Sequence, residues 1–368
     1  MSFETLNNVI YHDLIMNFKK SFLSIIISII LMMLQATCYA TPKGTVNILT
    51  WHGYLRSPEI ASIIKNKCGV KIYYDEYYNT IECLQRVSKI GVGNIYQYDI
   101  AIIPSDIYEY SKERIRVKNS NLNKIISEYD NNIKNHYLLR SYPNNVVYFM
   151  LSLSGFIWNP TVVKLKSNDD VSSLFEKAKN NLVIIMDSPV AVWDLIDNNR
   201  KLPYTALVQT FNKITKNTSL YIISGYGYSE LYDKPEFAFA FQRSGTAISV
   251  MKASKNKHLR FFMHPKYSYV TPDLMAELNA RPETQCVAKV LASKEVLDIV
   301  QKNTNYLSPY GTYKSISYPV FVDVYKSLFD NIHKVRWLDS IPASDINALE
   351  DMWIKIRSYP NRSLFKSL

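Results

Sequence analysis

Several short stretches place side chains suited to holding a small charged molecule directly after runs of apolar residues. Trp51 and Tyr54 follow Val46–Leu49, Tyr77 and Tyr78 follow Val70–Tyr74, and Ser105 with Asp106 follow Ile100–Ile103 and Pro104. Asp187 and Ser188 follow Leu182–Met186, and Gln242-Arg243-Ser244-Gly245 follows Phe237–Phe241. An aromatic face attracts a protonated amine, and a carboxylate binds one through charge-assisted hydrogen bonds. Hydroxyls and free N–H groups at a helix start favour an anion instead. The set suits recognition more than turnover. No HExxH or GxSxG spacing occurs, the histidines are unpaired, and Gly91-Val92-Gly93 and Gly225-Tyr226-Gly227 are too short for phosphate loops. The expectation is a binding protein rather than an enzyme, with no cofactor and no metal. Each residue also has a plainer role open to it: Asp106 and Asp187 as helix caps, Trp51 and Tyr54 as packing beneath a crevice.

The elements that must position these residues follow from periodicity. Val46–Leu49, Val70–Tyr74 and Ile100–Ile103 read as strands, and Ile100–Ile103 is the continuous apolar run of a strand buried on both faces. Ser57 as N-cap, Pro58 at the first helical position, Ile60, Ile63 and Ile64 on one face and Gly69 as a stop predict a helix between the first two. Ile81, Leu84, Val87 and Ile90 space a second helix, ended by Gly91. Such β-α-β-α-β order implies an open, mainly parallel sheet flanked by helices, with ligands outside the carboxyl ends of the strands. Leu182–Met186 and Phe237–Phe241 repeat the theme, Val146–Trp158 reads as a long strand crossing between halves, and Ser344–Arg357 has helical spacing.

The 368-residue length allows two domains. Lys19 and Lys20, the apolar run Phe22–Leu34 and Cys38-Tyr39-Ala40 form a secretory signal over residues 1–40, cleaved before Thr41, with Met1 or Met16 as start; an uncleaved anchor is the alternative. The expected location is the periplasm. Cys68, Cys83 and Cys286 remain after cleavage, and Cys68 with Cys83 is the local candidate for a disulfide, against buried free thiols. The net charge of +11 is spread without a basic run, which argues against nucleic acid as partner.

Five motifs, in order, resemble the spermidine/putrescine-binding subunits of bacterial polyamine importers: Leu49-Thr50-Trp51-His52-Gly53-Tyr54, Gly69–Tyr74, Tyr98–Ser105, Ser154–Asn159 and Tyr306-Leu307-Ser308-Pro309. The resemblance implies a type II periplasmic binding fold, α/β and two-lobed, with residues 44–154 and 271–315 in lobe one and 155–270 and 316–368 in lobe two. It implies a monomer that captures a small amine such as putrescine or spermidine between the lobes and passes it to an inner-membrane ABC permease. Trp51, Tyr54, Phe241 and Trp337 would wall the ligand and Asp273 would grip an amine; Ser105, Asp106, Asp187, Ser188 and Gln242 complete the candidate site. The chain departs from the pattern at Gly53, where the family has a glutamate, at Ser188 and Ala191, where it has an acidic pair, at Ile107 and at Leu338. Two lost carboxylates would weaken amine binding by about 3–6 kcal/mol. An anionic ligand at Ser105, Ser188 and Ser244-Gly245-Thr246 beside Arg243 is the competing class. A further alternative is an interaction protein that has lost transport.

Overall fold

The computed structural model describes residues 44–91, 98–117, 120–223, 228–316, 318–338, 340–359 and 362–365. The signal segment 1–40 and Gly225-Tyr226-Gly227 lie outside the described residues, as do Val92 and Gly93.

Six of the ten strands among the described residues form on the apolar runs expected to be strands, and those at Ser219–Ile223, Arg260–Phe262, Tyr269–Glu277 and Arg362–Phe365 were not anticipated. In chain order the ten are β1 (Thr45–Trp51), β2 (Lys71–Tyr77), β3 (Ile100–Pro104), β4 (Val146–Trp158), β5 (Leu182–Met186), β6 (Ser219–Ile223), β7 (Phe237–Arg243), β8 (Arg260–Phe262), β9 (Tyr269–Glu277) and β10 (Arg362–Phe365). They join into one sheet of order β10-β6-β5-β7-β4-β9-β3-β1-β2, with β8 added on β4. One half is β2-β1-β3 with β9, the other β10-β6-β5-β7. Pairing is parallel inside each half, except that β9 runs antiparallel to β3. The long strand β4 couples the halves: Val146–Ser154 pairs with β9, and Ser154–Trp158 pairs with β7. A two-faced burial explains its composition, since all but Trp158 of its residues are buried.

The helix Pro58–Cys68 starts and stops where expected: Pro58 opens it and Gly69 closes it at φ 66°, its N–H returning to the carbonyl of Lys65. Ser57 supplies the extended backbone of a cap but no side-chain bond. The second helix, Thr80–Val87, is capped by Asn79, which accepts from the Glu82 N–H, and ends before Gly91. The C-terminal helix is Ile346–Arg357.

The disulfide differs from the local pairing considered above. Cys68 bonds Cys286, 218 residues away, and Cys83 is a free, buried thiol. Cys83 lies on the buried face of its helix, whereas Cys68 ends a helix that packs along Pro282–Leu291, and the two α-carbons stand 5.8 Å apart.

A third connection between the halves is extended chain. Val270 of β9 exchanges backbone hydrogen bonds with Arg336 and Leu338, both at 2.9 Å, and the Ile341 N–H donates to the Asp106 carbonyl at 2.7 Å. On the other side Arg336 pairs with Asp194, and Arg200 donates to the Ser340 carbonyl at 3.4 Å. The helix before it, Pro319–Asp330, lies against Asn131–Leu139, where Asn132 donates to the Phe329 carbonyl at 2.7 Å. No helix among the described residues is long and apolar enough to cross a membrane.

Candidate functional site

The carboxyl ends of β1, β3 and β7 meet β9, and side chains from both halves converge there. Asp273 faces Pro104 across the β3–β9 ladder, because β9 runs antiparallel and brings its middle to the end of β3. Alternation along β9 places Tyr269, Thr271 and Asp273 on one face. Asp273 is fully buried, and each of its oxygens already accepts a hydrogen bond: Oδ1 from Trp51 Nε1 at 2.9 Å and Oδ2 from the Tyr54 hydroxyl at 2.6 Å. Burial pushes its carboxyl up to about 6, with Arg243, Tyr54 and Trp51 pulling the other way. The sequence thus placed Trp51, Tyr54 and Asp273 at one site, and the structure joins them in one hydrogen-bonded set.

Arg243 ends β7 and is the second half's contribution. Its guanidinium carbon lies 5.4 Å from the centroid of the Trp51 ring. No hydrogen bond leaves its guanidinium among the described residues. Burial works to lower its pKa, but the surrounding Tyr306, Asp106, Asp273 and Tyr269 hold it above its ordinary value. Gly245, two residues on, admits the neighbouring chain closely: a Cβ there would stand 2.6 Å from the Thr304 carbonyl and 2.8 Å from the Tyr306 ring. Tyr306 in turn packs 5.8 Å from Tyr54.

Ser105 and Asp106 open the turn after β3, and both are buried. Neither carboxylate oxygen of Asp106 has a hydrogen-bond partner, nor does the Ser105 hydroxyl; Thr50 and Thr271 hydroxyls nearby on β1 and β9 are likewise unpartnered. Burial raises the Asp106 carboxyl, opposed by Arg243 and Arg200.

The remaining candidates have structural partners, apart from Gln242, whose buried Nε2 is unpartnered. Asp187 accepts from Trp353 Nε1 at 2.9 Å and lies 3.9 Å from Arg357, so it anchors the C-terminal helix. Ser188 caps the helix Pro189–Ile196 through the Ala191 N–H. Phe241 is wholly buried against Phe156, at 4.9 Å, and Gln242 is buried beside it. Trp337 stacks on His136 with ring centroids 3.4 Å apart and 14° between planes. It forms the wall between a cavity of about 120 Å³ bordered by Ser105, Tyr108 and Tyr148 and one of about 300 Å³ bordered by Asp194, Arg200 and Arg336. Burial lowers the His136 imidazole to about 4, so it stacks as a neutral ring.

Two features were outside the sequence-derived site. Arg243 was recognisable only as a neighbour of a strand end. Glu76 of β2 accepts from the Gly53 N–H at 2.9 Å. It is spent on Arg56, whose Nε lies 3.0 Å away. Among the described residues no group of three or more His, Cys, Asp or Glu could hold a metal ion.

No protein-family model matches the chain, and no curated protein matches it in sequence. Solved structures do. A putative spermidine/putrescine ABC transporter protein from Listeria monocytogenes superposes with TM-score 0.67 at 16% identity, over 86% of this chain and 99% of that one. The spermidine/putrescine ABC transporter substrate-binding protein PotD of Streptococcus pneumoniae gives 0.62 at 17%, over 85% and 98%. This chain has the two-lobed fold of ABC-transporter substrate-binding proteins. The likeness extends across ligand classes: the binding protein MotA of Agrobacterium tumefaciens, solved with glucopine, gives 0.62 at 13% identity, over 85% and 99%. The α/β two-lobed architecture expected from the motifs is therefore present, and identities this low speak to the fold.

Proposed function

We propose that the chain is an exported solute-binding protein that encloses one small molecule between its halves and delivers it to an inner-membrane ABC permease. The observation that carries this reading is the placement of Arg243, from the second half, over Trp51 of the first, beside Asp273 and the unpartnered Asp106. A set drawn from both halves is made or broken as they close and part. The Cys68–Cys286 bond supports an oxidising compartment and, with the signal segment 1–40, export. The expected lobes, 44–154 with 271–315 and 155–270 with 316–368, are revised at one boundary: Pro319–Asp330 packs on Asn131–Leu139 of lobe one, which favours 336–342 as a further crossing.

The amine reading requires a ligand cation on Trp51 and Asp273. Arg243 already stacks on Trp51 beside Asp273, so a second cation there meets its charge, which disfavours putrescine and spermidine. Thermal unfolding of the chain from Thr41 onward, with amines, amino acids, organic acids and sugars, tests the function. A rise in Tm with any one class is expected. No rise with any of them retires the importer reading in favour of an interaction protein.

A further inference from the structure

Two charged groups in the site make no side-chain hydrogen bond among the described residues, and they carry opposite signs. The Arg243 guanidinium has five N–H donors, and its described contact is the Trp51 face. Both Asp106 oxygens are buried, and no other side chain donates to them. Geometry places them about one cluster: Arg243 covers Trp51, Trp51 donates to Asp273, and Asp273 faces Pro104, two residues before Asp106. They do not hydrogen-bond each other. Asp273 already accepts one hydrogen bond on each oxygen, from Trp51 and Tyr54, and stands as a counter-charge beside Arg243.

We infer that the ligand is a small zwitterion, an amino acid whose carboxylate takes the Arg243 fork and whose ammonium takes Asp106. A guanidinium presents paired donors matched to a carboxylate, and a buried unpaired carboxylate is matched by an ammonium. A diamine leaves Arg243 unmet and sets a second cation beside it. A dicarboxylate leaves Asp106 unmet and adds charge beside Asp273. One zwitterion satisfies both. The unpartnered hydroxyls of Ser105, Thr50 and Thr271 are further acceptors and donors for the same ligand. Asp106 is fully buried, so the ligand reaches it when the halves part.

This inference rests on the solute-binding reading and is tested so that the two fail separately. The protein is titrated calorimetrically and by thermal shift with glycine, β-alanine, 4-aminobutanoate and 5-aminopentanoate, a ladder of spacings between the two charges. Putrescine and succinate, four-carbon molecules carrying two ammonium or two carboxylate groups, are the matched controls, with maltose as a neutral one. Binding of at least one rung and of neither four-carbon control is expected. Arg243→Gln should then weaken that rung by at least about 10-fold, and Arg243→Lys, which keeps the charge but loses the fork, should restore part of the affinity. Asp106→Asn should weaken the amino acid while leaving the matched monocarboxylic acid unchanged. Circular dichroism and the ligand-free Tm of each variant show that it is folded. Stabilisation by putrescine, succinate or maltose without any amino acid overturns the zwitterion and leaves solute binding standing. Binding of an amino acid unaffected by Arg243→Gln overturns it as well. Silence from every compound removes both readings.

Discussion

Two strand ends carry the same three residue types in opposite order and meet opposite fates. After β3 come Pro104, Ser105 and Asp106; after β5 come Asp187, Ser188 and Pro189. At the second end everything is matched: Ser188 caps its helix, and Asp187 receives Trp353 Nε1 with Arg357 nearby. At the first, the Ser105 hydroxyl and both Asp106 oxygens are buried without partners. The lesson is that a carboxylate at a strand end stays without a side-chain partner only where no other part of the chain reaches it. The C-terminal helix reaches Asp187, whereas Asp106 is approached through its backbone, by Ile341 and Ser340.

The sharpest way to break the contrast is to remove what reaches Asp187. Trp353→Ala empties a buried indole site and strands a carboxylate, and should cost about 3–5 kcal/mol of unfolding free energy in urea. A cost under about 1 kcal/mol would mean that Asp187 is not held by this helix. The next effect concerns the unmatched end. Folded Asp273 keeps its proton up to about pH 6, held there by burial against the pull of Arg243, Tyr54 and Trp51, while its unfolded value is 3.8. The folded chain therefore binds more protons between those values, and its stability falls as pH rises through that window. At 1.36 kcal/mol per unit the loss is about 3 kcal/mol, and the raised Asp106 carboxyl acts in the same direction. Asp273→Asn should flatten this part of the Tm–pH curve.

A paired substitution comes next. Asp106→Asn removes a buried charge with no partner and should raise stability by about 1–3 kcal/mol, whereas Asp187→Asn weakens a satisfied site and should lower it by about 1–3 kcal/mol. Equal signs in chemical denaturation would erase the distinction. The smallest pair is Ser188→Ala, which loses an N-cap at about 1 kcal/mol, against Ser105→Ala, expected within about 0.5 kcal/mol of the parent.

Much of the frame was legible because its causes are local. Continuous apolar runs mark β3, β4 and β5, and Pro58 with Gly69 brackets a helix by backbone preferences that act within a turn. Trp51 and Tyr54 could be placed at a strand end for the same reason. Asp273 could be named only by resemblance, since its neighbours Thr271 and Pro272 say nothing of what lies opposite. Phe241 illustrates the limit: it follows the right strand, but it packs on Phe156 beneath the site. Cys286 was overlooked as the partner of Cys68 because spacing along the chain favoured Cys83.

The sequence by itself determined the α/β alternation, the strand ends that bear polar residues and the segment that links the halves. These depend on side-chain period and backbone propensity, which act over a few residues. Tertiary structure alone decided which acids are spent. Trp353 lies 166 residues from Asp187 and Trp51 lies 222 from Asp273. Whether a buried charge finds a partner depends on packing across such distances, and that left Asp106 and Arg243 open.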